Sequence, residues 1–139
     1  MIVLDTNVIS ELMRPQPDAN VLGWMDRQPM RSIWTTTVTH YELRSGILLM
    51  PAGKKRTMLN ECFERWLETV LEYRILNFDS EAAERAAGIT AVRKAKGRPM
   101  EARDTMLAGI VLANHATLAT RNVGHFEEIA KFVVNPWEA

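Results

Sequence analysis

Short apolar segments rich in β-branched residues alternate along this chain with stretches whose apolar residues recur at helical spacing. Met1-Ile-Val-Leu4 is the first such segment, and Asp5 closes it at once. Ser32 to Thr37, Arg74 to Phe78, Thr117 to Thr120 and Lys131 to Val134 read as further strands. Between them lie helical patterns. Val21, Leu22, Trp24 and Met25 share a face within residues 18–28, and Leu59, Cys62, Phe63, Trp66, Leu67, Val70 and Leu71 form a long stripe. Ala82, Ala83, Ala86, Ala87 and Ile89 suit a close-packing helix, and Met106, Leu107, Ile110, Val111 and Ala113 mark another. Uninterrupted apolar strands must be covered on both faces, and strands separated by helices join through right-handed crossovers. The pattern predicts an α/β fold, with a central, mostly parallel sheet of four to five strands flanked by helices.

At 139 residues the chain can bury one core and is too short for two full domains, so residues 1–139 are expected to form a single domain. Hydrophobic residues at 47% and charged residues at 24% exclude a disordered or fibrous chain. No apolar run approaches the roughly 20 residues that a membrane span needs. No basic segment precedes an apolar one at the start, so a soluble, cytoplasmic protein is expected. The lone cysteine, Cys62, excludes an internal disulfide framework and fits a reducing compartment. Among Leu59, Phe63 and Trp66 it reads as a core residue rather than a catalytic thiol. A net charge of zero gives no global attraction to nucleic acid. Local clusters such as Lys54-Lys55-Arg56 still set the field where they stand.

In open parallel sheets, ligands collect outside the carboxyl ends of the strands. Polar residues stand at those ends here. Asp5 follows the first strand, Glu42 falls in the first turn of the helix after the second, Asp104 opens a long helix, and Asn122 follows the fourth strand. Clustered carboxylates raise one another's pKa unless a cation compensates. Oxygen-only ligation suits a hard divalent ion, Mg²⁺ or Mn²⁺, and such ions serve phosphoryl chemistry. A nuclease or phosphatase follows from that chemistry. Each residue also has a purely local role open to it. Asp5-Thr6-Asn7 suits a helix N-cap, Thr39-His-Tyr-Glu42 matches a capping box, Asp104 complements a helix dipole, and Asn122 suits a turn.

Taken in order, the segments Met1-Ile-Val-Leu-Asp-Thr-Asn-Val-Ile-Ser-Glu-Leu12, Thr36 to Gly46, the Asp104 helix and Ala119-Thr-Arg-Asn122 resemble a PIN domain of the VapC/FitB-like toxin ribonuclease type. The terminal Val-Val-Asn-Pro-Trp137 is similar to the FitB-like branch. The resemblance implies an α/β/α sandwich and an Mg²⁺- or Mn²⁺-dependent endoribonuclease acting on RNA, transfer RNA included. It implies a homodimer held in a larger assembly by a cognate VapB/FitA-like antitoxin, with operator DNA touched only through that antitoxin. On the same basis Asp5, Glu42 and Asp104 would be catalytic and would hold the metal together with Asn122. Thr6 and Thr120 would support them, and Arg44, Arg103 and Arg121 would hold the RNA backbone.

Two departures from the family pattern stand out. Asn122 takes a place where many members carry Asp, and Arg103 one where a small residue is common. Arg103 could meet phosphate, Glu101 or solvent, and solvent is the reading preferred from sequence; Glu101 reads as a surface residue. Asn122 also supports a second class of function, a catalytically weak PIN-like binding module. A phosphatase or DNA nuclease on the same site is a third.

Overall fold

In the computed structural model, which describes residues 1–139, strands β1 (Ile2–Leu4), β2 (Ile33–Thr36), β3 (Ile75–Leu76), β4 (Thr117–Ala119) and β5 (Val133–Val134) form one sheet in the order β3-β2-β1-β4-β5. All four pairings are parallel, with Ile2 opposite both Ile33 and Thr117, and Leu4 opposite Ala119. Helices α1 (Thr6–Leu12), α2 (Ala19–Asp26), α3 (Thr37–Leu48), α4 (Lys54–Arg65), α5 (Ser80–Ala95) and α6 (Ala102–Ala113) cover it. Successive side chains of a strand point to opposite faces, and the central strand shows the consequence. Leu4 belongs to a core with Val8, Ile9, Ile33 and Phe63, whereas its neighbour Val3 belongs to another with Leu107, Val111, Leu118 and Phe126. The two cores are the two faces of the sheet, which is why β1 contains no polar residue. The expected α/β/α architecture is present.

The strands are shorter than their sequence patterns suggest. Arg74 to Phe78 reads as a strand, yet only Ile75–Leu76 pairs, at the sheet edge. The Arg74 guanidinium donates instead to the carbonyls of Ile33, Met30 and Val70, each at 2.8 Å. Lys131 and Phe132 lie in a run of 3₁₀ turns rather than in β5. The long stripe is likewise divided, into α4 and a wider π turn over Trp66–Val70 that keeps Leu67 and Leu71 buried.

Glu42 lies in the second turn of α3, not the first, because the helix starts at Thr37. Thr36 caps it, its Oγ1 accepting the Thr39 N–H at 3.1 Å. The capping box read at Thr39 and Glu42 therefore does not form: its role is filled three residues earlier, and the Glu42 side chain is left for other partners.

From β1 the chain moves outward to β2 and β3, then returns to lay β4 and β5 on the other side. The crevice beyond the carboxyl ends of β1 and β4 is the point where the order reverses, the place where such sheets bind ligands.

Candidate active site

Asp5 leaves β1 at that crevice and is buried, with 7% of its surface exposed. Its backbone N–H still donates to Ala119 O across the sheet, at 2.9 Å. Its side chain caps α1 by accepting the Thr6 N–H at 2.7 Å. The second carboxylate oxygen accepts from Thr120 Oγ1 at 2.7 Å and from Asn7 Nδ2 at 3.2 Å. Thr120 is fully buried, and its oxygen also accepts the Asn122 N–H at 3.1 Å. Asn7 Oδ1 accepts the Arg121 N–H at 3.2 Å. Asp5 is thus both a helix cap and a carboxylate fixed at the head of the cleft, and the two readings of it are compatible.

Asp104 faces the same cleft from the first turn of α6. Burial pushes its pKa above the ordinary carboxylate range, and the charge of Asp5 adds to the rise; His125, 3.4 Å from it through Nδ1, pulls the other way. Glu42 enters from α3, where the guanidinium of Arg103 engages it. The other nitrogen of that guanidinium lies 3.3 Å from Glu101. The solvent reading of Arg103 is therefore replaced by a bridge between two acids, and Glu101 joins the cleft wall.

The cleft encloses ≈ 730 Å³, and Asp5, Thr6, Glu42, Arg103, Asp104, Arg121 and Asn122 all line it. Thr120 supports it from beneath. Arg44 does not reach it: its guanidinium bonds Asn60 and Glu64 and lies 4.9 Å over the Phe63 ring, which ties α3 to α4. Asn7, Ser10, Glu11, Arg14, His125 and Trp137 also line the cleft, and none of them is a site candidate from sequence. Asn7 has a signal in its place within Asp-Thr-Asn and Trp137 in the terminal Val-Val-Asn-Pro-Trp segment, but His125 has none until its loop brings it in. Trp137 carries Arg121 over its ring at 5.0 Å.

No three His, Cys, Asp or Glu side chains are gathered at one point. What is present is a pair of carboxylates, Asp5 and Asp104, whose mutual repulsion is only partly relieved, within an oxygen-rich wall. That donor set fits a hard divalent ion and not a soft one.

Because Asp5 accepts three donors, Asp5→Asn turns an N–H toward one of them. Thermal unfolding should show a loss on the order of 1–3 kcal/mol. An unchanged or higher Tm would mean that these bonds contribute nothing.

A family model described as PIN domain matches residues 2–132. The chain is 45% identical over 139 residues to a plasmid stability protein, StbB, of Pseudomonas syringae, with all of both chains covered. It is 39% identical to the VapC ribonuclease Y4jK of Sinorhizobium fredii, over 99% of each chain. It is also similar to the toxin FitB of Neisseria gonorrhoeae, at 38% identity over 99% of each chain. A chain in the crystal structure of FitAcB from that organism superposes with a TM-score of 0.89, covering 100% of both.

Proposed function

The chain belongs to the PIN-domain family, and on that premise we propose that it is the toxin of a type II toxin–antitoxin pair, a divalent-metal-dependent endoribonuclease that hydrolyses RNA phosphodiesters. The observation that carries this reading is the pairing of Asp5 and Asp104 at the point where the strand order reverses. A bound Mg²⁺ or Mn²⁺ supplies Lewis acidity and a lowered pKa for its water. Asp5 and Asp104 are the residues that would hold it. Thr120 and Asn7 keep the Asp5 carboxylate in one orientation, and Thr6 fixes its other oxygen through the backbone. Asn122 offers a neutral amide at the same wall. Arg121, its guanidinium 5.0 Å over the Trp137 ring, would hold an RNA phosphate by a salt-sensitive contact.

The antitoxin has a natural seat. A trough of ≈ 410 Å³ opens beside the cleft between Met13, Leu43, Ile47, Met50 and Leu59, and shares Thr6, Ser10, Arg14 and Glu42 with it. An apolar segment lying there delivers its next residues to the acids, which suits a partner that blocks the site with a basic side chain. Operator DNA is then the antitoxin's to bind, in keeping with a toxin of zero net charge. Exposed Tyr41 and Leu48 on α3, with Leu49 at its C-terminal cap, support self-association into a homodimer. No helix is long and apolar enough to cross a membrane.

The test is cleavage of total RNA and purified transfer RNA by antitoxin-free protein in Mg²⁺, in Mn²⁺ and in EDTA. Cleavage that requires the metal is expected. Folded, antitoxin-free protein that cuts neither RNA in either metal would instead favour the binding-module reading, which the engagement of Glu42 by Arg103 supports.

A further inference from the structure

The cleft treats its acids unequally. Asp5 and Asp104 line one cleft, close enough for the charge of Asp5 to act on Asp104, and neither has an arginine or lysine in ion-pair contact. Asp104 has only the His125 ring at 3.4 Å, whereas Glu42 has a guanidinium of its own. Arg103 occupies the second position of α6, one residue before Asp104, and spans from Glu101 to Glu42. Its planar fork meets two carboxylates at once, an arrangement in which a guanidinium outperforms a point charge. The position next to the fourth strand, which could add a further negative charge, holds the neutral Asn122. No three acids converge, and Glu42 is engaged by Arg103.

Resting on the metal-dependent reading above, we propose that Arg103 is a built-in counter-ion that withholds Glu42 from the metal, so that the site takes a single divalent ion on Asp5 and Asp104. A second ion would have to displace a tethered guanidinium from two carboxylates, and Asn122 offers no charge in return. A divalent ion at Asp5 and Asp104 displaces no arginine or lysine, competes only with the His125 ring 3.4 Å from Asp104, and relieves the repulsion between the two carboxylates. Arg103 is then a positioning residue, acting through Glu42.

Isothermal calorimetry with Mn²⁺ on antitoxin-free protein tests this independently of activity. Wild type should bind one Mn²⁺ per chain, and Asp5→Asn should abolish the event. Arg103→Ala should either raise the stoichiometry to two or tighten the single event by at least tenfold. Because removing any nearby positive charge favours a cation, the deciding arm is Arg103→Ala combined with Glu42→Gln, which should lose that gain. Arg103→Met, which keeps the aliphatic stem, should repeat the Ala result, and circular dichroism should show every variant folded. Two ions in wild type overturn the proposal, as does an isotherm unchanged or weakened by Arg103→Ala, or a gain that survives Glu42→Gln. Binding that is absent in every variant, or that persists in Asp5→Asn, overturns the underlying metal assignment instead, so the two failures are distinguishable.

Discussion

Asp104→Asn is expected to lower RNA cleavage about 10³-fold, the scale on which a preorganised charged group acts, while making the metal-free protein more stable at neutral pH. Both effects have the same origin. Burial and the charge of Asp5 hold the Asp104 pKa above its ordinary 3.8 in the folded chain. A group whose pKa is raised by folding contributes stability that is fully present below the unfolded value. That contribution is lost as pH rises through the raised one. Above that window the ionised carboxylate is a burden that Asn lacks. The variant's Tm advantage should therefore be absent near pH 3.5, open as pH rises past 3.8, and be greatest by pH 7. Differential scanning calorimetry across that range, beside an RNA-cleavage assay, checks both halves. Retained cleavage would remove Asp104 from the machinery. A Tm that falls at pH 7 would make it a structural residue whose loss of activity says nothing about chemistry.

Gly109→Ala should damage the fold more than any conservative change in the cleft. A Cβ at Gly109 would lie 2.4 Å from the Ala82 carbonyl oxygen and 2.9 Å from the Ala86 Cβ. The first obstacle is backbone, so α5 and α6 would have to separate. Helix propensity favours Ala over Gly by about 1 kcal/mol, but overpacking a close contact costs about 1–3 kcal/mol and sometimes more. Here the obstruction is a carbonyl of the neighbouring helix, and the net loss should reach about 3 kcal/mol, a Tm drop on the order of 10 °C. Asp104 rides on α6, so cleavage should fall as well. Gly88→Ala is the control. No heavy atom lies within 4 Å of the Cβ it would add, so propensity alone should operate and the Tm should hold or rise slightly. An unchanged Tm for Gly109→Ala would show that the two helices are not in the contact described.

Much of this architecture is readable in one dimension because its determinants are local or periodic. Apolar runs without alternation, such as Ile2 to Leu4, announce strands buried on both faces, and the alanine spacing of 82, 83, 86 and 87 announces a helix that packs closely. Ends are less legible. The Thr36 hydroxyl and the Thr39 hydroxyl offer the same capping chemistry three residues apart, and the end of β2 decides between them. Arg74 looks like the first residue of a strand, yet its guanidinium finds three carbonyls that no local pattern foretells. Among the candidate RNA contacts, Arg44, Arg103 and Arg121 have similar standing in sequence. Tertiary placement sends one to Asn60 and Glu64, one to Glu42, and one onto Trp137.

The layered α/β plan, the parallel sheet and the acid that closes the first strand are all legible in the residue order, because hydrophobic period and strand-end chemistry depend only on near neighbours. Which acids share the cleft, and which already have a partner, was settled only when residues far apart in the chain came together. Thr120 orients Asp5 from 115 positions away, and Arg103 claims Glu42 from a different helix. Charge interactions at those distances depend on burial and on a few ångströms of placement, and neither quantity is written in the order of the residues.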